Sequence, residues 1–199
     1  MISSTAFQRP PPSPRHLRLP KTGTLLVNTD LHGNGEDLRR LESLFFEQLK
    51  KDPNSYWVIL GDLVHGPDES ARNQEPELYG YLDESIWMIE RVYELTRAYP
   101  QQIFFVLGNH DYAHIGGITT RKFHDDEARY LEEQMTPEQR HKMRELFQNA
   151  YLAVSTPSGL LLTHGSPNLS LRSLDELNQI HFPHNLKSKW ENSVLNGLL

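Results

Sequence analysis

A regular alternation of short apolar runs with longer amphipathic segments constrains the fold of this chain more than any other feature. The apolar runs at residues 25–27, 57–60 and 103–107 have the length of buried strands. Between them, large apolar side chains recur at helical spacing over residues 38–49 and 82–93. Because strands that alternate with helices of this length form βαβ units, the sequence predicts an α/β fold with parallel strands.

The second half of the sequence adds one helix and one hairpin to this pattern. Thr136, Pro137 and Gln139 supply a hydroxyl cap, a proline in the first turn and a glutamine three residues after the cap. Together they predict the start of a helix. The apolar residues 151–154 and 160–162 flank a Pro-Ser-Gly turn, which predicts an antiparallel pair of strands.

Residues 1–22 differ in composition from the rest of the chain. They are rich in proline and contain no acidic residue, whereas they carry the basic residues Arg9, Arg15, Arg18 and Lys21. We therefore expect residues 1–22 to form a disordered basic arm ahead of one domain over residues 23–199. The formal net charge of the chain is −6, so the domain itself is acidic, which argues against a nucleic-acid partner.

The sequence of 199 residues contains no cysteine, which excludes disulfides and thiolate metal ligands. Such a chain suits a reducing compartment, so we expect a cytoplasmic protein. No apolar run approaches the length of a membrane span, and we expect no membrane partner. Any metal would be held by nitrogen and oxygen ligands, which favour manganese, iron or zinc.

Residues that commonly bind metals follow each predicted strand. They are Asp30 and His32 after the first strand, Asp62 after the second, Asn109 and His110 after the third, and His164 after the hairpin. In α/β sheets, ligands bind at the carboxyl ends of the strands. Each residue alone has an ordinary structural explanation, such as a turn or a buried hydrogen bond. Four such loops in sequence order indicate a shared site instead.

Carboxylates, an amide and imidazoles at one sheet edge suit a two-metal site. Two ions about 3.5–4 Å apart need a bridging carboxylate, and they lower the pKa of bound water towards neutrality. The hydroxide so formed attacks phosphorus, while the ions neutralise charge on the phosphoryl group. A protonated imidazole near the leaving oxygen then serves as general acid. The residues therefore indicate phosphoester hydrolysis.

Four short motifs, taken together, carry a family resemblance. They are Asp-Leu-His-Gly-Asn at residues 30–34, Gly-Asp at 61–62, Gly-Asn-His-Asp at 108–111 and Thr-His-Gly at 163–165. In this order they resemble the motifs of calcineurin-like metallophosphoesterases. The resemblance implies a β-sandwich flanked by helices, and a centre of two divalent metal ions with a bridging hydroxide.

The resemblance also implies a role for each matching residue. Asp30 and His32 would bind the first ion, Asp62 would bridge the two ions, and Asn109 and His164 would bind the second. His110 would act as the acid towards the leaving group. The implied substrate is a phosphorylated protein or small molecule.

The segment at residues 61–68, Gly-Asp-Leu-Val-His-Gly-Pro-Asp, points to one branch of the family. It is similar to the Gly-Asp-Leu-Val-x-Arg-Gly-Pro stretch of diadenosine tetraphosphate hydrolases and protein Ser/Thr phosphatases. One residue is missing here, and with it the arginine that contacts phosphate in those relatives. His65 stands where an aspartate would steady the acid histidine, so it either contacts substrate or fills the loop. Arg121 and Lys122 are candidate replacements for the arginine.

Three further titratable residues lie close to these motifs in the sequence. Asp111 either orients its neighbours or forms a solvent-facing turn. His114 and His124 fall in a loop with charged residues, and we interpret them as surface residues.

The sequence after His164 has no clear strand signal. We therefore expect the fold to lack the C-terminal strands of the family and the last histidine ligand. His181 and His184 follow, but they lack the Gly-His pattern, so we interpret them as loop or helix-end residues. The chain would then be a piece of a longer enzyme or a divergent protein with a weakened second metal site.

These features predict a metal-dependent phosphoesterase, with a Ser/Thr protein phosphatase-like activity as the leading interpretation. The alternatives are a dinucleoside polyphosphate hydrolase or phosphodiesterase on the same site, and a non-catalytic domain with an incomplete metal site.

Overall fold

The computed structural model describes residues 14–182 and 188–199. Within these residues the strands are β1 (His16–Arg18), β2 (Thr24–Asn28), β3 (Ser55–Leu60), β4 (Ile103–Val106), β5 (Ala153–Ser155) and β6 (Leu161–Leu162). The helices are α1 (Gly35–Lys51), α2 (Glu69–Gln74), α3 (Pro76–Tyr79), α4 (Ser85–Ala98), α5 (Asn109–Tyr112), α6 (Glu127–Gln134), α7 (Pro137–Gln148) and α8 (Lys189–Leu198), with 3-10 turns at Ala113–Ile115 and Leu174–Gln179.

The strands β2, β3 and β4 form one parallel sheet in that order, as predicted. The crossover from β2 to β3 contains α1, and the crossover from β3 to β4 contains α4. Parallel strands require such crossovers, because the chain must return to the same end of the sheet. All three strands therefore end at the same edge.

A second sheet, in the order β1-β5-β6, packs on one face of the first. Alternate residues of β3 and β4 point to opposite faces, as the pleat of a strand requires. Val58, Phe104 and Val106 form a cluster with Val154 of β5 and with Leu19, which directly follows β1. The residues between them in sequence, such as Trp57 and Phe105, pack with the helices on the other face. The α/β sandwich flanked by helices is thus confirmed.

The predicted hairpin and the predicted helix start are also confirmed. β5 pairs antiparallel with β6, and Gly159 in the turn has a φ of 90°. At α7, the Thr136 hydroxyl accepts from the N–H of Gln139, and the Gln139 side chain accepts from the N–H of Thr136. These reciprocal bonds satisfy donors that the first helical turn leaves unpaired.

The prediction of a disordered arm over residues 1–22 is wrong for residues 14–22, while residues 1–13 lie outside the described part of the chain. β1 pairs parallel with β5. Arg15, only 2% exposed, donates to the backbone carbonyls of Gln148, Ala150 and Ile180. Burial lowers the pKa of its guanidinium to about 10. Arg15, which the composition predicts to be solvent-exposed, therefore holds the segment that contains β1 to the rest of the domain.

No strand follows β6 among the described residues 163–182 and 188–199, as expected. Instead α8 packs its last turn against the loop after β6. The N–H groups of Gly165 and Ser166 donate to the carbonyls of Leu198 and Gly197, at 2.6 and 2.7 Å. A Cβ on Gly165 would lie 2.5 Å from the Gly197 carbonyl oxygen, so only glycine permits this approach.

His181 is exposed, and His184 lies outside the described residues. None of the helices in the described parts of the chain combines the length and the apolar character that crossing a bilayer requires.

Candidate metal centre

The centre lies where the loops after β2, β3 and β4 meet, and backbone hydrogen bonds fix these loops to one another. The N–H groups of Asp30, His32 and Gly33 donate to the carbonyls of Gly61, Asp62 and Leu63, at 2.9–3.2 Å. The pairing of β2 with β3 therefore continues past the strands into the candidate site.

Several residues of these loops adopt backbone conformations that side chains disfavour. The φ angles are 52° at Asp30, 42° at His32, 51° at Asp62 and 70° at His65. Positive φ costs free energy for residues other than glycine, and it persists only where the surroundings hold it. Such clusters of strained residues concentrate at functional sites.

Asp111 connects the loops after β3 and β4 through hydrogen bonds to their backbone. Its carboxylate is fully buried and accepts from the N–H groups of Asp62, Leu63 and Gly108, at 2.8, 3.0 and 3.0 Å. Burial, and then the charge of Asp62, raise the pKa of Asp111 to about 7, while the three N–H donors oppose the shift. Of the two interpretations offered by the sequence, the orienting one is correct and the solvent-facing one is wrong.

Two histidines direct the same ring nitrogen at Asp62. His32 Nδ1 lies 3.1 Å from the Val64 carbonyl oxygen, and His164 Nδ1 lies 2.8 Å from that of Leu60. Because a carbonyl only accepts, each Nδ1 donates to it, and a neutral ring in this tautomer offers the lone pair of Nε2 to a metal ion. A hydrogen bond from the other ring nitrogen to a carbonyl commonly orients a histidine that binds metal.

Asp62 stands between these histidines and is almost fully buried. Its Oδ2 lies 3.6 Å from His32 Nε2, and its Oδ1 lies 3.5 Å from His164 Nε2. Asp30 Oδ1 is 3.6 Å from His32 Nε2, and Asn109 Oδ1 is 3.0 Å from His164 Nε2. The structure thus brings all five predicted ligands together, in two groups that share Asp62.

The donor atoms fit divalent metal ions. Tetrahedral coordination with bonds of about 2.0–2.1 Å separates ligand atoms by about 3.3 Å, which is close to the separations in both groups. Burial, and then the charge of Lys122, lower the pKa of His32, which favours the neutral ring that binds metal. The Asp30 side chain is 50% exposed, so the centre opens to solvent on its side.

His110 lies beside the centre, and its Nδ1 points away from the proposed ligands. Its ring is edge-on to that of His32, with centroids 4.8 Å apart. Its Nδ1 lies 3.1 Å from Glu127 Oε2. Burial lowers the pKa of His110, but the contact with Glu127 and the charge of Asp62 outweigh burial, and the net pKa is raised. A raised pKa favours the protonated ring that a general acid requires.

His65 and His114 form a buried row with His110. His65 is 4% exposed, with Nδ1 2.9 Å from His110 Nδ1 and Nε2 3.0 Å from His114 Nε2. The suggestion that His65 contacts substrate is therefore not supported, because its ring lies behind His110. The interpretation of His114 as a surface residue is wrong, because it is buried against His65 and Glu132.

Sequence reasoning missed Glu127 at this site. It lies at the start of α6, is 0% exposed, and contacts both His110 and His65. Burial raises its pKa, but the contact with His110 and the N–H of Phe123 outweigh it, and the pKa falls to about 2. No signal in the sequence separates Glu127 from the many other glutamates of this region.

Comparisons with known proteins point to one family and one fold. A profile described as calcineurin-like phosphoesterase matches residues 23–196. No curated protein matches the chain. A protein serine/threonine phosphatase from Saccharomyces cerevisiae, with similarity to human phosphatase PP5, is similar at 19% identity with a TM-score of 0.55, over 84% of this chain and 47% of that one.

A cold-active protein tyrosine phosphatase of a psychrophilic Shewanella species is similar at 16% identity with a TM-score of 0.43, over 83% of this chain and 49% of that one. The chain spans about half the length of these solved structures. The likeness to the yeast phosphatase shows a shared fold.

Proposed function

The chain belongs to the calcineurin-like phosphoesterase family, and from this premise we propose that it hydrolyses phosphomonoesters with two divalent metal ions. The observation that carries the proposal is the position of Asp62, whose two carboxylate oxygens face two different histidines, His32 and His164. A carboxylate so placed suits a bridge between two ions.

The proposed ligands divide between the two ions as follows. Asp30, His32 and Asp62 would hold the first ion, and Asp62, Asn109 and His164 would hold the second. Nitrogen and oxygen ligands suit manganese, iron or zinc. When bound, the ions supply a water-derived nucleophile near neutral pH and positive charge for the phosphoryl oxygens.

The chain's own residues supply the remaining chemistry. His110 donates a proton to the leaving oxygen, because its raised pKa favours the charged ring. Glu127 holds the Nδ1 side of that ring at 3.1 Å, which leaves Nε2 to carry the proton that is transferred. Lys122 is exposed, and its charge contributes to the lowered pKa of His32. We therefore propose that Lys122 binds the substrate phosphate in place of the missing arginine.

A phosphorylated side chain or a small phosphomonoester suits this centre best. The exposed side of Asp30 leaves the ligands accessible to a phosphate on another protein's surface. The net charge of −6 disfavours nucleic acid. A phosphoserine or phosphothreonine substrate is therefore the leading proposal, and a cytoplasmic location stays a prediction from the lack of cysteine.

Metal stoichiometry and turnover, measured on the same preparations, test the proposal. The chain is loaded with Mn²⁺, Fe²⁺ or Zn²⁺ and assayed on p-nitrophenyl phosphate, a phosphoserine peptide and diadenosine tetraphosphate. We expect two tightly bound equivalents at the Asp62 centre and hydrolysis of both monoesters. Asp62→Asn should abolish turnover, whereas Glu47→Gln, which changes an exposed carboxylate on α1, should not.

Two outcomes would overturn this proposal. Hydrolysis of diadenosine tetraphosphate alone would move the chain to the dinucleoside polyphosphate class. No turnover, with one equivalent or none bound at the Asp62 centre, would leave a non-catalytic domain that has kept the fold.

A further inference from the structure

A cluster of buried ligand atoms lies on the far side of His110 from the centre described above. It consists of His65 Nδ1, His110 Nδ1 and Glu127 Oε2, which we call the rear cluster. The two nitrogens are 2.9 Å apart, and Glu127 Oε2 lies 3.1 Å from His110 Nδ1 and 3.5 Å from His65 Nδ1. None of these atoms belongs to the Asp62 centre.

The hydrogen bonds behind His65 decide which of its nitrogens is free. His114 Nδ1 lies 3.0 Å from Glu132 Oε1, and a carboxylate accepts, so Nδ1 of His114 carries the proton. The Nε2 of a neutral His114 therefore accepts from His65 Nε2, at 3.0 Å. A neutral His65 then has its lone pair at Nδ1, directed at the rear cluster.

Glu127 points a buried oxygen into the same cluster. Its Oε1 accepts from the N–H of Phe123 at 3.0 Å. Its Oε2 is buried, and the nitrogens of His110 at 3.1 Å and His65 at 3.5 Å are its polar neighbours, with no further hydrogen-bond partner among the described residues. A buried carboxylate oxygen that faces two imidazole nitrogens in this way suits a cation held between them.

These observations lead us to propose a third cation site, for Zn²⁺, formed by His65 Nδ1, His110 Nδ1 and Glu127 Oε2. Three atoms separated by 2.9–3.5 Å can all lie about 2.0–2.1 Å from one tetrahedral ion. Two imidazoles and a carboxylate prefer Zn²⁺ to Mn²⁺ by the usual order of affinities.

The hydrogen bonds from His65 to His114 and from His114 to Glu132 orient His65 for metal binding. A histidine that binds metal commonly donates its other ring N–H to a fixed acceptor, which raises its affinity for the ion. Thr120 Oγ1, 3.5 Å from His65 Nδ1, is a further polar atom at the cluster. Zinc uptake releases the Nδ1 proton of His110 to solvent, because that nitrogen must be unprotonated to bind.

Occupation of the rear cluster regulates the reaction, and this part of the inference rests on the proposed function. Zinc would occupy His110 Nδ1 and Glu127 Oε2, the two atoms whose 3.1 Å contact holds the ring of the proposed acid in place. Hydrolysis then slows at zinc concentrations above those that fill the Asp62 centre. The chain thus senses excess zinc through its own general acid.

Zinc binding is tested in the full chain carrying Asp62→Asn, which weakens the Asp62 centre and removes turnover from the readout. Calorimetry with Zn²⁺ should find one equivalent at the rear cluster. Adding Glu127→Gln or His65→Asn should remove it, and asparagine tolerates the positive φ at residue 65. Adding Glu132→Gln should weaken it by about 10–100-fold.

Glu133→Gln is the matched control, because Glu133 lies on the same helix and makes only an exposed pair with Arg129. Glu133→Gln should leave zinc binding at the rear cluster unchanged. Far-UV circular dichroism establishes that each variant folds. If Glu127→Gln does not fold, His65→Asn alone tests whether the rear cluster binds zinc. No zinc bound in the Asp62→Asn chain, or equal binding with and without Glu127→Gln, would overturn the site.

Inhibition is then measured separately in the chain with Asp62 intact. Excess Zn²⁺ should lower hydrolysis of a phosphomonoester at least tenfold, relative to each protein's own rate without excess zinc, and the ratio should approach one in His65→Asn. Binding without inhibition would overturn the regulatory part alone. Absence of turnover would overturn the proposed function and leave the binding result standing.

Discussion

At the scale of single residues, the candidate centre places two carboxyl groups close together in the protein interior. Asp62 and Asp111 are both buried, and the charge of Asp62 raises the pKa of Asp111. The two residues nevertheless do different things. Asp62 faces the rings of His32 and His164 and accepts one backbone N–H, that of His110. Both oxygens of Asp111 accept from backbone N–H groups.

We therefore predict that Asp62→Asn and Asp111→Asn change the stability of the metal-free protein in opposite directions. At pH 8, above the pKa of Asp111, Asp62→Asn removes the charge that repels Asp111 and keeps an oxygen for the N–H of His110, so it should stabilise by about 1 kcal/mol. Asp111→Asn puts an amide donor opposite an N–H donor and should destabilise by about 2–3 kcal/mol. Urea unfolding in chelator measures both, and equal signs would contradict the assignment.

A second prediction at this scale concerns Glu127 as a positioning residue for His110. A general acid matters most when the leaving group is a poor one, such as an alkoxide. In the metal-loaded protein, Glu127→Gln should lower kcat by about 100-fold on an alkyl phosphate and by less than about fivefold on p-nitrophenyl phosphate.

His110→Asn should show the same dependence on the leaving group, and Glu133→Gln should show none. A uniform loss on both substrates would mean that Glu127 supports only the fold. If His110→Asn also lacks the dependence, the assignment of His110 as the acid is wrong.

At the scale of elements, residues 14–22 show where composition misleads. Four prolines before position 16 and four basic residues before position 22 predict disorder over residues 1–22. β1 has only three residues, and its pairing partner β5 lies more than 130 residues later in the sequence. No local sequence pattern predicts a pairing between such distant segments. The strands of the first sheet, by contrast, can be predicted from their longer apolar runs.

We predict that Arg15 contributes most of the stability of this attachment. Arg15→Met would leave the carbonyls of Gln148, Ala150 and Ile180 buried without their donor, at a cost of about 3 kcal/mol. Arg18→Met is the matched control, because Arg18 makes an exposed pair with Asp175 and should cost at most about 0.5 kcal/mol. Chemical unfolding of both variants measures the difference, and similar losses would contradict it.

At the scale of the whole molecule, the sequence predicts the ligands of the centre better than their supports. The predicted ligands follow strands, and the parallel sheet brings strand ends to one edge regardless of loop detail. His65, His114 and Glu127 come from separate stretches of the chain and line up with His110 only in the folded structure. Such contacts depend on the path of a long connection, which local spacing does not encode.

The same architecture predicts how metal binding affects the stability of the entire domain. The five proposed ligands span residues 30–164, so the ions tie together four loops that the unfolded chain holds far apart. A ligand that binds only the folded state stabilises it by about 2.7 kcal/mol at one hundred times its dissociation constant. We predict that Mn²⁺ raises the melting temperature of the native sequence and that a chelator reverses the rise.

The Asp62→Asn variant separates this effect from nonspecific binding. Without the bridge, Mn²⁺ should leave its melting temperature nearly unchanged, even though the metal-free variant is the more stable protein. Hydrogen exchange should show metal-dependent protection at the amides of Gly33, Asp62 and Gly165 in the native sequence, since each lies beside a proposed ligand or is one. Protection confined to a single loop would mean that the ions do not join the loops after β2, β3 and β6, and the two-ion centre would then be wrong even if the protein binds metal.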